Sequence, residues 1–243
     1  MNSLFADVNI KDFGLALISG IVPALIWLWF WLKEDEEHPE PVGLIILTFV
    51  TGMIMVIVVL PIQQFVQNHF SDDKLLIVLW AGIEEIIKFG GVYFVALRGN
   101  KIREPIDFAL FMITGALGFA ALENAFFLIE PIAIKEATVS FLTGNLRFLG
   151  ATLLHAVSSA TIGIFLGLSY YQGWFAKKIY LLLGISAAIA LHSVFNFLII
   201  KNGDQNILKT FAFLWGMAFL TMLLFEKLRQ LSHYHLNRLE NQT

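Results

Sequence analysis

Glu84, Glu85 and Lys88, in the stretch Ala81-Gly-Ile-Glu84-Glu85-Ile-Ile-Lys88, are the first residues in this sequence from which chemistry is expected. They fall inside an apolar run from about Leu75 to Leu97 that is long enough to cross a bilayer, so two carboxylates and an ammonium lie near mid-membrane. A single Asp or Lys at the centre of a span costs roughly 2.5–3.5 kcal/mol on insertion scales, so adjacent acids there require compensation. Helical spacing sets Glu84 and Lys88 at i,i+4 and Glu85 and Lys88 at i,i+3, with the two acids about 100° apart. One lysine therefore neutralises either acid but hardly both, and the other needs a partner from another helix, a water or a metal. The plain reading is a buried ion pair that fixes helix register. The chemical one is a general base, Glu84 or Glu85, with the other acid paired to Lys88.

Three further places carry groups of the same kind. In Gly115-Ala-Leu-Gly118-Phe119-Ala-Ala-Leu-Glu123-Asn124, the small residues predict close helix packing, whereas Glu123 is an ionisable group in an otherwise apolar run. His155 is preceded by Arg147 and followed by Ser158 and Ser159. A serine protease is a poor fit, because i,i+3 residues on one helix rarely give an attack geometry and no orienting acid is adjacent. His192-Ser-Val-Phe-Asn196 places an imidazole and an amide on one helical face, suited to a ligand or proton carrier and an oxyanion donor. Two His and a carboxylate, here His155, His192 and Glu123, also form a familiar zinc set, with a further Glu as base. Asp107, just after Pro105, reads as a helix-start carboxylate. His38, His69, His233 and His235 are expected in loops or tail without a chemical role.

The elements that must position these groups are membrane helices. Of the 243 residues, 58% are hydrophobic and only 14% charged, and the mean hydropathy is +0.74. A soluble domain carries nearly twice that share of charge. The net charge of −3 leaves no basic face for nucleic acid, and the absence of cysteine excludes disulfides, thiolate nucleophiles and cysteine zinc sites. The N-terminal arm has no basic region and no small-residue cleavage site, so the first span is expected to be retained. Apolar windows predict an all-α polytopic bundle of about seven transmembrane helices, near 13–32, 42–62, 75–97, 106–129, 146–170, 177–200 and 207–226. The whole chain, 1–243, reads as one integral-membrane domain with a catalytic core over 75–200, four helices made by spans 3 to 6. Lys33 to Pro41 is an acidic loop closing on two prolines, 63–74 a polar interfacial segment, and 227–243 a polar tail.

Orientation follows from Lys and Arg. Lys11, Lys74, Lys135, Arg147, Lys201 and Lys209 lie on one side, against Lys33, Arg98, Lys101, Arg103, Lys177, Lys178, Lys227, Arg229 and Arg238. That bias puts the N-terminus outside and the C-terminus in the cytoplasm. At about 1.5 Å per residue, Glu84, Glu123, His155 and His192 lie roughly 14, 10, 14 and 13 Å from the outer ends of their spans. Four helices of alternating direction thus deliver two acids and two imidazoles to one layer. Unrelated buried polar residues would scatter in depth.

Glu84-Glu85-x-x-Lys88, Phe119-x-x-x-Glu123-Asn124, the isolated His155 with Arg147 ahead of it, and His192-x-x-x-Asn196 resemble, in order and spacing, the motifs of the PrsW family of intramembrane proteases. The Glu37-His38-Pro39-Glu40-Pro41 loop is also similar to an acidic, proline-rich segment of that family, and the resemblance runs from about residue 35 to 200. It implies an active site of Glu84, Glu85, Glu123, His155, His192 and Asn196, cutting membrane-anchored proteins such as anti-sigma factors at an extracytoplasmic site in a bacterial membrane. The family is described as both glutamic-type and metallo-type, and in the wider group of CAAX-prenyl and bacteriocin-processing proteases His commonly stands where this chain has Glu123.

Together these readings give an intramembrane endopeptidase. Glu84 or Glu85 would deprotonate a water held by His155 and His192, directly or through zinc with Glu123. Asn196 would stabilise the tetrahedral intermediate, and Lys88 would keep one acid ionised. The rivals are an ion- or proton-coupled transporter, since buried Glu and His also describe an ion path, and a non-catalytic scaffold subunit. No paired Gly/Pro-broken helices in two related halves support the transporter.

Overall fold

A computed structural model describes residues 9–34, 39–135, 138–139, 146–202 and 207–240. His38 and residues 35–37 of the acidic loop lie outside the described residues, as do the side chains of Lys201, His233, His235 and Arg238. Seven helices account for nearly all of the rest: α1 Ile10–Lys33, α2 Val42–His69, α3 Asp73–Val92, α4 Pro105–Ala133, α5 Thr152–Leu168, α6 Trp174–Asn202 and α7 Ile207–Glu240. Two π-helical turns adjoin them, Tyr93–Leu97 after α3 and Arg147–Ala151 before α5. Six of the helices, all but α3, are long and apolar enough to span a membrane, which makes this an integral multi-pass membrane protein. The exception, α3, carries Glu84, Glu85 and Lys88. With its π-helical turn it is continuous from Asp73 to Leu97 and so covers the span expected over 75–97.

Local chemistry fixes where these helices begin. The Asp72 side chain accepts from the backbone N–H groups of Lys74 and Leu75 and so caps α3. Pro105 opens α4, and the Asp107 carboxylate accepts from the N–H groups of Arg103 (2.6 Å) and Glu104 (3.0 Å), in line with its reading as a helix-start residue. On the same end of the bundle, Arg103 donates to Glu40 (3.0 Å), tying the loop before α2 to the loop before α4. The hydrogen bond to Glu40 raises the Arg103 guanidinium further above its ordinary value.

Two boundaries differ from expectation. Residues 63–69, expected as an interfacial segment, are the last two turns of α2, and the expected polar tail continues α7 as helix to Glu240. In both places a helix runs beyond its apolar stretch, so hydropathy marks the span and not the helix.

At the centre lies α4, packed against α1, α2 and α5; 94% of its membrane window is buried, against 22% for α7. Only small side chains permit this. A Cβ at Gly118 would meet the carbonyl oxygen of Phe49, and one at Gly52 would meet that of Gly115, so the glycine-rich face of α4 acts as the expected close-packing surface. Gly118→Ala is therefore expected to destabilise the bundle by about 1–3 kcal/mol, read as a lower melting temperature in detergent. Gly43→Ala, at a site open on all sides, is the matched control and is expected to cause no loss.

Candidate active site

The four helices expected to converge do so. Glu84 and Glu85 from α3, Glu123 from α4, His155 from α5 and His192 from α6 are linked by a continuous set of polar contacts. Lys88 donates to Glu85 Oε1 at 2.6 Å and faces His155 Nδ1 at 2.9 Å. Its ammonium, almost fully buried, also sits 4.7 Å from the centre of the Phe119 ring, which supplies a cation–π contact. The rings of His155 and His192 meet edge to face with centroids 5.2 Å apart.

The two acids of the pair are not equivalent. Glu85 is fully buried and saturated: Oε1 takes Lys88 and His192 Nδ1 (2.9 Å), and Oε2 takes the hydroxyl of Ser159 (2.7 Å). Glu84 accepts a hydrogen bond from Gln63 at Oε1 (2.8 Å), while its Oε2 is buried with no hydrogen-bond partner among the described residues. That orphaned oxygen lies 3.9 Å from His155 Nδ1 and 3.7 Å from His192 Nε2. These separations are too long for hydrogen bonds. They are close to the roughly 3.4 Å that two ligands about 2.1 Å from a tetrahedral zinc keep from each other.

Each imidazole turns its other nitrogen to a further carboxylate, His192 Nδ1 to Glu85 and His155 Nε2 to Glu123 (3.1 Å). A carboxylate on the outer nitrogen is the usual way a metal-binding histidine is held in its tautomer. Charge points the same way. With all three carboxylates ionised and both imidazoles neutral, Lys88 and Arg147 balance two of them and one negative charge is left over. Glu84, His155 and His192 thus offer donors for a divalent cation, with His155 Nδ1 open to it once the Lys88 ammonium, 2.9 Å from that nitrogen, keeps to Glu85 alone, and among the described residues they are the grouping whose donor atoms all lie within 4.8 Å of one another. Glu123, expected as the third ligand, is not in that grouping. Its Oε2 is paired to Arg147 and to the outer nitrogen of His155, and the carboxylate in the grouping is that of Glu84.

Arg147 opens the π-helical turn ahead of α5 and anchors the edge of the site. It pairs with Glu123, donates to Asn124 Oδ1 (2.6 Å) and lies over the Phe127 ring; Asn124 in turn donates to Thr152 (2.8 Å), and Thr152 to the Arg147 carbonyl (3.0 Å). A π-helical turn leaves ladder carbonyls to find other partners, and such turns recur at functional sites. A cavity of 460 Å³ adjoins the cluster. Glu84, Glu123, Arg147, His155, His192 and Asn196 line it together with apolar side chains of α2, α4 and α7. Glu85 and Lys88 lie behind that wall, almost fully buried.

Sequence reasoning missed Gln63 and Thr152 and gave Ser159 no partner. A signal existed for Ser159, which is i,i+4 from His155 and so shares its face. Neither Ser158 nor Ser159 bonds to an imidazole, which fits the low standing of a serine mechanism. Ser159→Ala would leave Glu85 Oε2 buried and unpartnered, at an expected cost of about 1–3 kcal/mol in unfolding experiments. Ser158→Ala removes a hydroxyl that already lacks a partner among the described residues and is expected to cost little.

Comparison with known proteins comes from the sequence. Residues 40–224 match the model of a family described as PrsW family intramembrane metalloprotease. Similar proteins include one named Protease PrsW from Shouchella clausii, 26% identical over 90% of this chain and 97% of that protein. Those of the same name from Halalkalibacterium halodurans and Bacillus subtilis are 27% and 26% identical, over 74% and 82% of this chain and 81% and 91% of theirs. No solved structure matches.

Proposed function

This chain belongs to the PrsW family of intramembrane metalloproteases, and from that premise we propose an endopeptidase that cuts membrane-anchored proteins of the anti-sigma-factor kind with a site built on Glu84, His155 and His192. The observation that carries this reading is the orphaned Glu84 Oε2, facing the inner nitrogens of two histidines whose outer nitrogens are held by Glu123 and Glu85. One carboxylate and two imidazoles are a donor set of catalytic zinc, and we take zinc as the metal. Bound there, the ion would supply an acidified water and polarise the scissile carbonyl.

The chain's own residues divide the remaining work. Glu85, with all its hydrogen bonds satisfied, orients His192 and keeps Lys88 in place. Glu123 orients His155 through Oε2. Its Oε1, with no partner among the described residues, accepts a hydrogen bond from the attacking water and so positions it. Arg147 keeps Glu123 ionised and fixes its position. Asn196 lines the cavity one turn beyond His192 with no side-chain hydrogen bond among the described residues, so its amide is available to the developing oxyanion. The apolar cavity wall receives an extended apolar stretch of substrate and limits water to what the polar cluster holds. The surplus of Lys and Arg on the opposite loops supports an extracytoplasmic site, with the N-terminus outside and the C-terminus in the cytoplasm, and the membrane we propose is a bacterial one.

The test is cleavage of a single-pass membrane substrate by purified protein in detergent. Glu84→Gln and His192→Ala are each expected to lower kcat roughly a thousandfold or more with the protein still folded. A chelator should abolish wild-type activity and zinc restore it. Full activity in the presence of chelator would remove the metal and leave Glu84 as the general base; unchanged cleavage by both variants would remove the mechanism.

A further inference from the structure

Glu84 receives no hydrogen bond from its own helix. The i,i+4 lysine that could have supplied one sends its ammonium to Glu85 and His155 instead. The hydrogen bond that Glu84 does receive among the described residues crosses from α2, where the Gln63 amide donates to Oε1 at 2.8 Å. Gln63 sits on the two turns that α2 adds beyond its apolar stretch, is partly buried, and lines the same cavity as Glu84. Because an ionised carboxylate only accepts hydrogen bonds, the amide must present its nitrogen, which fixes the side chain's sense.

We infer that Gln63 is a positioning residue for Glu84: by holding Oε1 it turns Oε2 toward the inner nitrogens of His155 and His192. This rests on the reading of Glu84 as a metal ligand. A glutamate side chain has several staggered rotamers, and burial alone does not select the one that faces the histidines. A donor on one oxygen does. The donor's lack of charge also matters. Arg147 on Glu123 neutralises that carboxylate, and a cation on Glu84 Oε1 would do the same and compete with a bound metal ion. A neutral amide holds the oxygen and leaves the full negative charge for a cation. Hydrogen-bond partners of metal ligands act on affinity in this way, and losing one typically costs 10- to 100-fold.

The experiment compares wild type, Gln63→Leu and Gln63→Met in the full-length protein in detergent, with Gln64→Leu, at an exposed neighbouring position, as control. Zinc affinity is measured by competition with a chelator, alongside kcat, KM and the melting temperature of the metal-free protein. Gln63→Leu is expected to bind zinc about 10- to 100-fold more weakly and to lose kcat with KM unchanged, while its metal-free melting temperature and all properties of Gln64→Leu stay at wild-type values. Gln63→Met is read in the same way if the leucine variant fails to fold. Wild-type zinc affinity and kcat in a folded Gln63 variant would overturn this inference alone. A wild-type protein that binds no zinc would overturn the metal reading and this inference with it.

Discussion

The Lys88 ammonium, 2.6 Å from Glu85 and with no solvent exposure on either side chain, is the contact on which the rest of the bundle's interior depends. Removing one member of such a buried pair leaves an uncompensated charge, at a cost of about 3–5 kcal/mol. That cost dictates the neighbourhood. Each oxygen of Glu85 needs a partner in this setting, and His192 from α6 joins Lys88 on Oε1 while Ser159 from α5 supplies Oε2. Lys88 also reaches His155 Nδ1, the nitrogen that a bound metal ion would take over from it. Once α3 carries these charges, α5 and α6 have one register in which they can pack.

This requirement also divides the acidic pair. Every oxygen of Glu85 is committed to holding other side chains, whereas Glu84 keeps one oxygen uncommitted at the point where two imidazoles meet. In the proposed mechanism the first is scaffold and the second is ligand. Two adjacent residues of one type thus take different roles because they face different neighbours. The small side chains of α4 set the scale of the arrangement. With Gly118 against the Phe49 carbonyl and Gly52 against that of Gly115, α2 comes close enough to α4 and α3 for a glutamine near its end to reach Glu84.

Much of this was legible in the sequence. The apolar windows located the spans, and the rise per residue placed Glu84, Glu123, His155 and His192 in one layer, where they are found linked. The small-residue face of α4 was legible because a helix that buries all sides in a membrane needs room for neighbouring backbones. Which glutamate did what was not legible, since i,i+3 and i,i+4 spacing to Lys88 are equally good. Ser159 and His192, 74 and 107 residues away, break that tie. The place of Glu84 with the histidines, instead of Glu123, was hidden for a related reason: depth along a helix is linear in sequence, but the direction a side chain faces depends on how each helix is rotated. Gln63 was lost because polar composition at a helix end looks like a loop, although a helix leaving the membrane continues as long as its own ladder is satisfied.

In the proposed mechanism one carboxylate and two imidazoles, from three helices, meet at a single point able to hold a divalent ion. X-ray absorption at the zinc edge, on purified protein loaded with one equivalent of zinc, reads that point directly. Oxygen and nitrogen neighbours only are expected, at about 2.0–2.2 Å, with the outer-shell scattering of two imidazoles that falls to one in either His155→Ala or His192→Ala. Zinc that fails to bind, or binds without imidazole scattering, would contradict it.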